Sequence, residues 1–328
     1  MPFEIDLRKY FTPKAVAESL QQLPLLTSPV LDRIYPESKR RQHPLPVLGI
    51  DVISKVIKNV PVVRRGSPAV SINTGERQIT YLEPQPVEVS TFIGGVELNN
   101  LKLLDDKGIE QYVAGKIDDL RQSIRKTTEA IAGQSLAGSI SYPMKTSGGY
   151  DIYSVDFGAT LEFVPTKLWN AADKTLGEIL KDIIEINKLL NQNGYGSDIA
   201  YLVGSDVFVA VANKVITLSD RGTINAQITE KGITIAGFTI ELFAGVYENP
   251  SDGTISNVIP SNKLCAVALD APFSLYYCAL DDIDAGLLPM PFYASPERKK
   301  NPSGIEVVGK SKPLPVSIPK GICWSQVI

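Results

Sequence analysis

Between about Asp105 and Leu136 apolar residues recur at steps of three and four: Ile109, Val113, Ile117, Leu120, Ile124 and Ile131, with Thr128 holding the register. This spacing places one apolar stripe along one face of a helix. Asp105 and Asp106 suit its N-terminus, where the helix dipole favours negative charge. About thirty residues at 1.5 Å each span roughly 45 Å. A one-sided helix of that length predicts a spine with a sheet laid along it. A second helix is predicted from about Asp173 to Leu190, with Leu176, Ile179, Leu180, Ile183, Ile184 and Ile186 as its apolar face and Asn193-Gly194 as its stop. Ser205-Asp206 caps a short third helix containing Val207, Phe208, Val211 and Ala212. The runs DIAYLVG, ITIAGFTIELFAG, KLCAVALD and FSLYYCAL read as buried strands, so 171 to about 294 is predicted to be a compact α/β unit.

Upstream, residues 60 to about 92 alternate apolar and polar positions on either side of a turn at Asn73-Thr74-Gly75, which predicts a β-hairpin. A lone hairpin is marginal in water, so this one requires a partner surface. Residues 1 to about 50 open with a short helical piece after Thr12-Pro13 and are then broken by Pro24, Pro29, Pro36, Pro44 and Pro46. The same stretch carries Leu23, Leu25, Leu26, Val30, Leu31, Ile34 and Tyr35, too many apolar side chains for a solvated linker. It reads as an arm lying extended on another surface. The ending, GIEVVGKSKPLPVSIPKGICWSQVI, reads as strands separated by prolines that return to the sheet beside the long helix.

The 328 residues are 44% apolar and 21% charged, with a net charge of −3, which suits about two folded domains rather than a disordered tail. His43 is the only histidine, and Cys265, Cys278 and Cys323 are far apart, so no cysteine/histidine metal pattern exists. A nucleophile and base pair would have to use His43, which sits in a basic, proline-rich stretch and reads as a flexible surface residue. No apolar run is long enough to span a bilayer, and Glu4 and Asp6 occupy the place of a secretory signal's apolar segment. The expectation is a soluble protein made in a reducing cytoplasm.

Gly304 to Ser311 matches the phosphate-loop pattern GxxxxGK[ST]. Such a loop follows a core strand and opens a helix. Here ASPERKKNPS precedes it and Lys312-Pro313-Leu314-Pro315 follows, while Ile305, Val307 and Val308 favour a strand. An extended segment is expected, without a cofactor. Asp281, Asp282 and Asp284 lack the remainder of a calcium loop and read as a solvated turn. Basic residues cluster at Lys39-Arg40-Arg41, Arg64-Arg65 and Arg298-Lys299-Lys300 without interleaved aromatics, which suits acidic patches on neighbouring subunits better than specific nucleic-acid readout.

The order of arm, hairpin, spine helix, α/β unit and returning strands resembles the lambda-type major head protein family of tailed phages. The resemblance is carried by YLEPQPVEV, SLAGSISYP, YDIYSVDFG, GFTIELFAGVYENPSDGTISNVIPSNKLCAVALD, YYCALDDIDA and SKPLPVSIPKGICWSQV. It implies an α+β chain with the tailed-phage and herpesvirus capsid shell fold, the HK-ninety-seven type. In that fold residues 1–50 would be the N-terminal arm and 51–104 the extended loop. Residues 105–170 with 295–328 would form the peripheral domain, and 171–294 the axial domain. The implied function is a non-enzymatic major capsid protein that self-assembles into hexamers and pentamers of an icosahedral head in the host cytoplasm. A scaffolding protein, a portal and a decoration protein would be partners, packaged DNA would be contacted non-specifically, and no membrane would be involved. Subunit-interface candidates are Arg40, Arg41, Arg64, Arg65, Arg77, Tyr81 and Glu83. The alternatives are a cellular nanocompartment shell of the encapsulin kind, a nucleotide-binding enzyme using Gly304 to Ser311, and a phage tail or adaptor protein, which the long helix suits poorly.

Overall fold

The computed structural model describes residues 7–52, 78–217 and 225–328. In chain order the helices are α1 (Pro13–Gln22), α2 (Pro29–Arg33), α3 (Gly95–Leu101), α4 (Asp106–Ser135), α5 (Leu176–Gln192) and α6 (Ser205–Thr217). The first strands are β1 (Arg40–His43), β2 (Leu48–Val52), β3 (Gln78–Leu82), β4 (Val87–Gly94), β5 (Ser139–Thr146), β6 (Gly149–Asp156) and β7 (Leu161–Glu162). Next come β8 (Ile199–Val203), β9 (Ala226–Thr229), β10 (Gly232–Ile235), β11 (Phe238–Leu242), β12 (Val246–Glu248) and β13 (Ile255–Asn257). The last are β14 (Lys263–Ala268), β15 (Ser274–Cys278), β16 (Tyr293–Lys299), β17 (Gly304–Ser311), β18 (Pro313–Val316) and β19 (Ile322–Gln326).

The chain folds into two compact units, each assembled from separated stretches. The first comprises Met1–Leu48, Tyr81–Ala132 and Ser274–Val316, and the second Gly49–Thr80, Gly133–Phe273 and Ser317–Ile328.

In the first unit the stripe of α4 does what its spacing requires. Ile109, Val113, Ile117, Leu120 and Ile124 are buried with Ile93, Ala294 and Val307 of a three-stranded sheet ordered β16-β17-β4. Gly309 of β17 is needed for this approach, since a Cβ there would lie 3.1 Å from Leu120 Cβ and 3.4 Å from Ile124 Cδ1. Leu7, Phe11 and Val16 close the same core, α1 being capped by the Thr12 hydroxyl with Pro13 at its start.

The extended arm fails as an expectation for residues 29–48. The helix expected after Thr12-Pro13 is α1, but Pro29 starts a helix instead of breaking one, and Val30, Leu31, Ile34 and Tyr35 are completely buried inside their own unit. The strand β1 then runs parallel to β15, which also pairs with β18. His43 is consequently not a free surface residue: it is half-buried in β1, edge-on to Tyr276, with Nε2 3.1 Å from the Val47 carbonyl. The strand β3 pairs with β2, so the preceding arm supplies its partner. The turn at Asn73 to Gly75 lies outside the described residues.

The second unit is built on a mixed seven-stranded sheet ordered β7-β19-β14-β8-β11-β10-β9. Its centre is mostly apolar: Ala200, Leu202, Val203, Cys265, Val267 and Cys323 are buried, together with Tyr201 and Ser325. The helix α5 packs beside β19 and α6 beside β9, β10 and β11. A capping box joins Thr175 and Glu178 at the start of α5, and Ile179, Ile183, Ile186 and Leu190 form its buried stripe. Trp169, also buried, donates its indole N–H to Asp182 at 2.8 Å, and Lys174 binds the same oxygen at 2.7 Å. The hairpin β5–β6 is anchored by Ile140 and Val155 but exposes Tyr150 and Ile152 farther along.

Candidate functional site

The phosphate-loop pattern takes the form its β-branched residues favour. Gly304 to Ser311 is β17, in register with β16 on one side and with β4 on the other, from Gly304 opposite Gly94 to Ser311 opposite Val87. No helix follows. Its lysine is engaged within the fold, since Lys310 Nζ lies 2.8 Å from Asp282 and 4.0 Å from Glu88. Burial works against the Lys310 charge, but Asp282 outweighs it and holds the ammonium above its ordinary range.

The acidic turn after β15 is therefore not simply solvated. Asp281 pairs at 2.9 Å with Lys312, whose side chain is buried, and the Asp282 carboxylate is enclosed. Burial alone would raise the Asp282 carboxyl, yet Lys310 and the amides of Ala285 and Asp284 keep it below the usual carboxylate range. Those amides reach Asp282 Oδ1 at 3.1 and 2.8 Å, forming a compact turn. The turn holds Gly286 and Leu287 at φ +67° and +56° and presents Ile283, Leu287 and Leu288 to solvent, 89, 57 and 55% exposed. Sequence reasoning attended to the acids of DDIDAGLL and passed over these three aliphatic residues.

A second feature of the first unit is a cleft of about 700 Å³ between the N-terminal segment, α4 and the chain around Tyr277 and Phe292. Leu20, Leu25, Leu26, Ile124 and Phe292 give it apolar walls, and Arg40, Arg41, Arg121 and Arg125 line it together with Asp32 and Glu37. The N-terminal segment is fixed there by α4. Glu129 accepts the Val30 and Leu31 amides at 2.6 and 2.9 Å, replacing the absent side-chain cap of α2. Arg125 reaches Ser28 Oγ at 2.7 Å and Asp32 at 2.6 Å. Burial raises the Glu129 carboxyl above its ordinary range despite the two amides. Asp32 is also desolvated, but the Ser28 amide, Arg125 and Arg40 hold its carboxyl low.

Among the residues predicted to face a neighbour, Arg40 braces its own unit through Asp32 and the Tyr35 carbonyl, both at 3.0 Å. Arg41 is exposed at the cleft, Tyr81 is 73% exposed and Glu83 is exposed. Arg64, Arg65 and Arg77 lie outside the described residues. The structure thus brings Arg40 and Arg41 to one cleft and leaves Tyr81 and Glu83 on the stretch leading into β4. Cys265, Cys278 and Cys323 are buried, with burial pushing the Cys278 and Cys323 thiols up to about 11 and about 12. Among the described residues no group of histidine, cysteine and carboxylate side chains could hold a metal ion, and no helix is long and apolar enough to cross a membrane.

The fold is that of phage capsid proteins. A prophage protein of E. coli CFT073 described as its capsid protein superposes with a TM-score of 0.63 at 15% identity, covering 97% of this chain and 99% of that one. A phage-related protein from Bordetella bronchiseptica gives 0.47 at 10% identity, over 96 and 97% of the two chains. The capsid of an empty GTA particle gives 0.47 at 10%, over 93 and 92%. No curated protein matches the chain in sequence. The model of phage major capsid protein E matches residues 12–327, and the chain therefore belongs to the phage major capsid protein E family.

Proposed function

We propose that this chain closes into an icosahedral phage head around DNA by forming pentamers and hexamers, with a separate scaffolding protein and a portal as partners during assembly in the host cytoplasm. A decoration protein is a further partner, DNA is contacted without sequence readout, and the chain performs no catalysis. Membership of the capsid family across residues 12–327 carries this reading and favours a head over an enzyme or a nanocompartment. The exposed apolar side chains support it, because a shell subunit must hold in reserve surface that only its neighbours bury. On this reading residues 1–50 serve as the arm, 51–104 as the extended loop, 105–170 with 295–328 as the peripheral domain, and 171–294 as the axial domain. Arg41, Tyr81 and Glu83 face neighbours, as do Arg64, Arg65 and Arg77, while Arg40 acts through the shape of the arm.

Negative-stain electron microscopy of the purified chain, with light scattering for particle mass, tests the proposal. Hollow shells or rings of five and six are expected. Monomers at all concentrations would overturn self-assembly by the chain alone and make the scaffolding protein obligatory. Deleting Arg65 to Glu83 is expected to leave a folded monomer that forms no shells, and regular shells from that deletion would remove the extended loop from the mechanism.

A further inference from the structure

The braced turn after β15 and the cleft beside α4 have opposite chemistry on the same unit. The turn is an acidic, aliphatic knob. Ile283, Leu287 and Leu288 stand in solvent, and Asp284 is exposed with no ion-pair partner among the described residues. The cleft is apolar and lined by four arginines against the two carboxylates Asp32 and Glu37. Arg40 and Arg125 are paired with Asp32 and Arg121 with Asp118, which leaves Arg41 as the cleft arginine with no ion-pair partner among the described residues. Since the three aliphatic side chains of the knob are more than half exposed, none of them fills the cleft of its own chain.

We propose that the knob at Ile283–Leu288 inserts into the Arg41-lined cleft of a second copy of this chain, with Asp284 meeting Arg41. The inference rests on the self-assembly reading and adds to it the two surfaces that mate. Charge complementarity selects the occupant, because the four arginines outnumber Asp32 and Glu37 in the cleft and the unpaired Arg41 attracts an acidic loop while a basic segment is repelled. Rigidity favours the knob as the inserting partner. Two hydrogen bonds donated by the Asp284 and Ala285 amides to Asp282 and the ion pairs of Lys310 and Lys312 fix its shape before contact, which reduces the entropy lost on binding. Because knob and cleft are different patches of one chain, the contact is heterologous. Each subunit can give a knob to one neighbour and receive one from another, which generates rings where the rotation closes.

The test uses the full chain with Ile283→Cys and Leu25→Cys together, Leu25 being a 94% exposed residue of the cleft. The native cysteines are buried, so a short bismaleimide reports on the introduced pair. Assembled particles of the double variant are expected to give a ladder of covalent dimers and larger species that neither single variant gives. Separately, Ile283→Asp is expected to weaken association about 30-fold while leaving the monomer's melting temperature unchanged. Asp284→Arg and Arg41→Glu are each expected to slow assembly about fivefold, and together to restore it. Particles that form at the parent rate with Ile283→Asp, or that yield no ladder, would overturn the knob-and-cleft contact and leave self-assembly standing. A parent chain that forms no particles would overturn both.

Discussion

Asp182 is the position where removal of one side chain should cost most. Its Oδ2 is shared by Lys174 Nζ at 2.7 Å and Trp169 Nε1 at 2.8 Å, and the Lys174 and Asp182 side chains are only 3 and 11% exposed. Asp182→Ala strands a buried ammonium and an indole N–H at once. Breaking a buried pair by deleting one partner costs about 3–5 kcal/mol. The indole adds little beyond that, because both donors depend on one oxygen and such losses do not sum. The loop before α5 loosens with them, since Trp169 N bonds to the Val327 carbonyl and Lys214 Nζ to the carbonyls of Ala171 and Lys174. At about 2–4 °C per kcal/mol for a unit of this size, the transition of the second unit should fall by roughly 6–20 °C. Calorimetry on monomer at low concentration reads this without a contribution from assembly. Lys174→Met should cost a similar amount by leaving the carboxylate unpaired. Lys174→Met with Asp182→Asn should cost less than either single change, about 1–2 kcal/mol, because both charges go while the indole keeps an acceptor. A transition within 2 °C of the parent for Asp182→Ala, or costs that simply add in the double variant, would refute the reasoning.

Three further outcomes follow from particular contacts. Gly204→Ala places a Cβ 2.2 Å from the Pro260 carbonyl oxygen and 2.5 Å from Ser261 Cα, so backbone must move; a loss of about 1–3 kcal/mol is expected in urea unfolding, and an unchanged midpoint would contradict the packing. Glu129→Ala removes the acceptor of two α2 amides and should cost about 2 kcal/mol, with hydrogen exchange accelerating at Val30 and Leu31 first. For Asp282, whose folded carboxyl is held below its ordinary value, the stabilisation is full above about pH 3.9 and is lost as pH falls through the lower folded value. Protection of the Asp284 and Ala285 amides should therefore drop on acidification below about pH 4, and Asp282→Asn should flatten that dependence.

The elements that formed as their sequence pattern required are those whose apolar period is completed by nearby chain. The stripe from Ile109 to Ile124 needed only a sheet, and β16, β17 and β4 supply it. The GxxxxGKS stretch could be judged because a strand and a phosphate loop demand different neighbours, and Lys312-Pro313 settles the choice locally. The N-terminal segment is ambiguous in sequence for a related reason. Proline marks either a break or a helix start, and what separates the two at Pro29 is Glu129, about a hundred residues away, which caps the turn. The ion pairs of Asp281 and Asp282 were equally hidden, because they join residues some thirty positions apart that only the return of β17 brings together.

Assembly surfaces are harder to read for a physical reason. A core position is identified by its period, because the element that covers it belongs to the same chain and must present a matching face. An interface position has no such constraint within one copy: Ile283, Leu287 and Leu288 sit in a turn with no period, and Leu25 stands 94% exposed after α1. What distinguishes them from scattered surface leucines is rigidity. An aliphatic side chain on a mobile loop gains little on burial, because ordering the loop offsets the gain, whereas one fixed by Asp282 and Lys310 retains nearly all of it. The residues that hold the turn are therefore as informative as those it displays. Loosening the brace with Lys310→Ala, while every apolar side chain stays in place, should weaken association of the full chain without changing the surface it offers. Equal association constants for Lys310→Ala and the parent, measured by sedimentation, would show that the turn's rigidity plays no part.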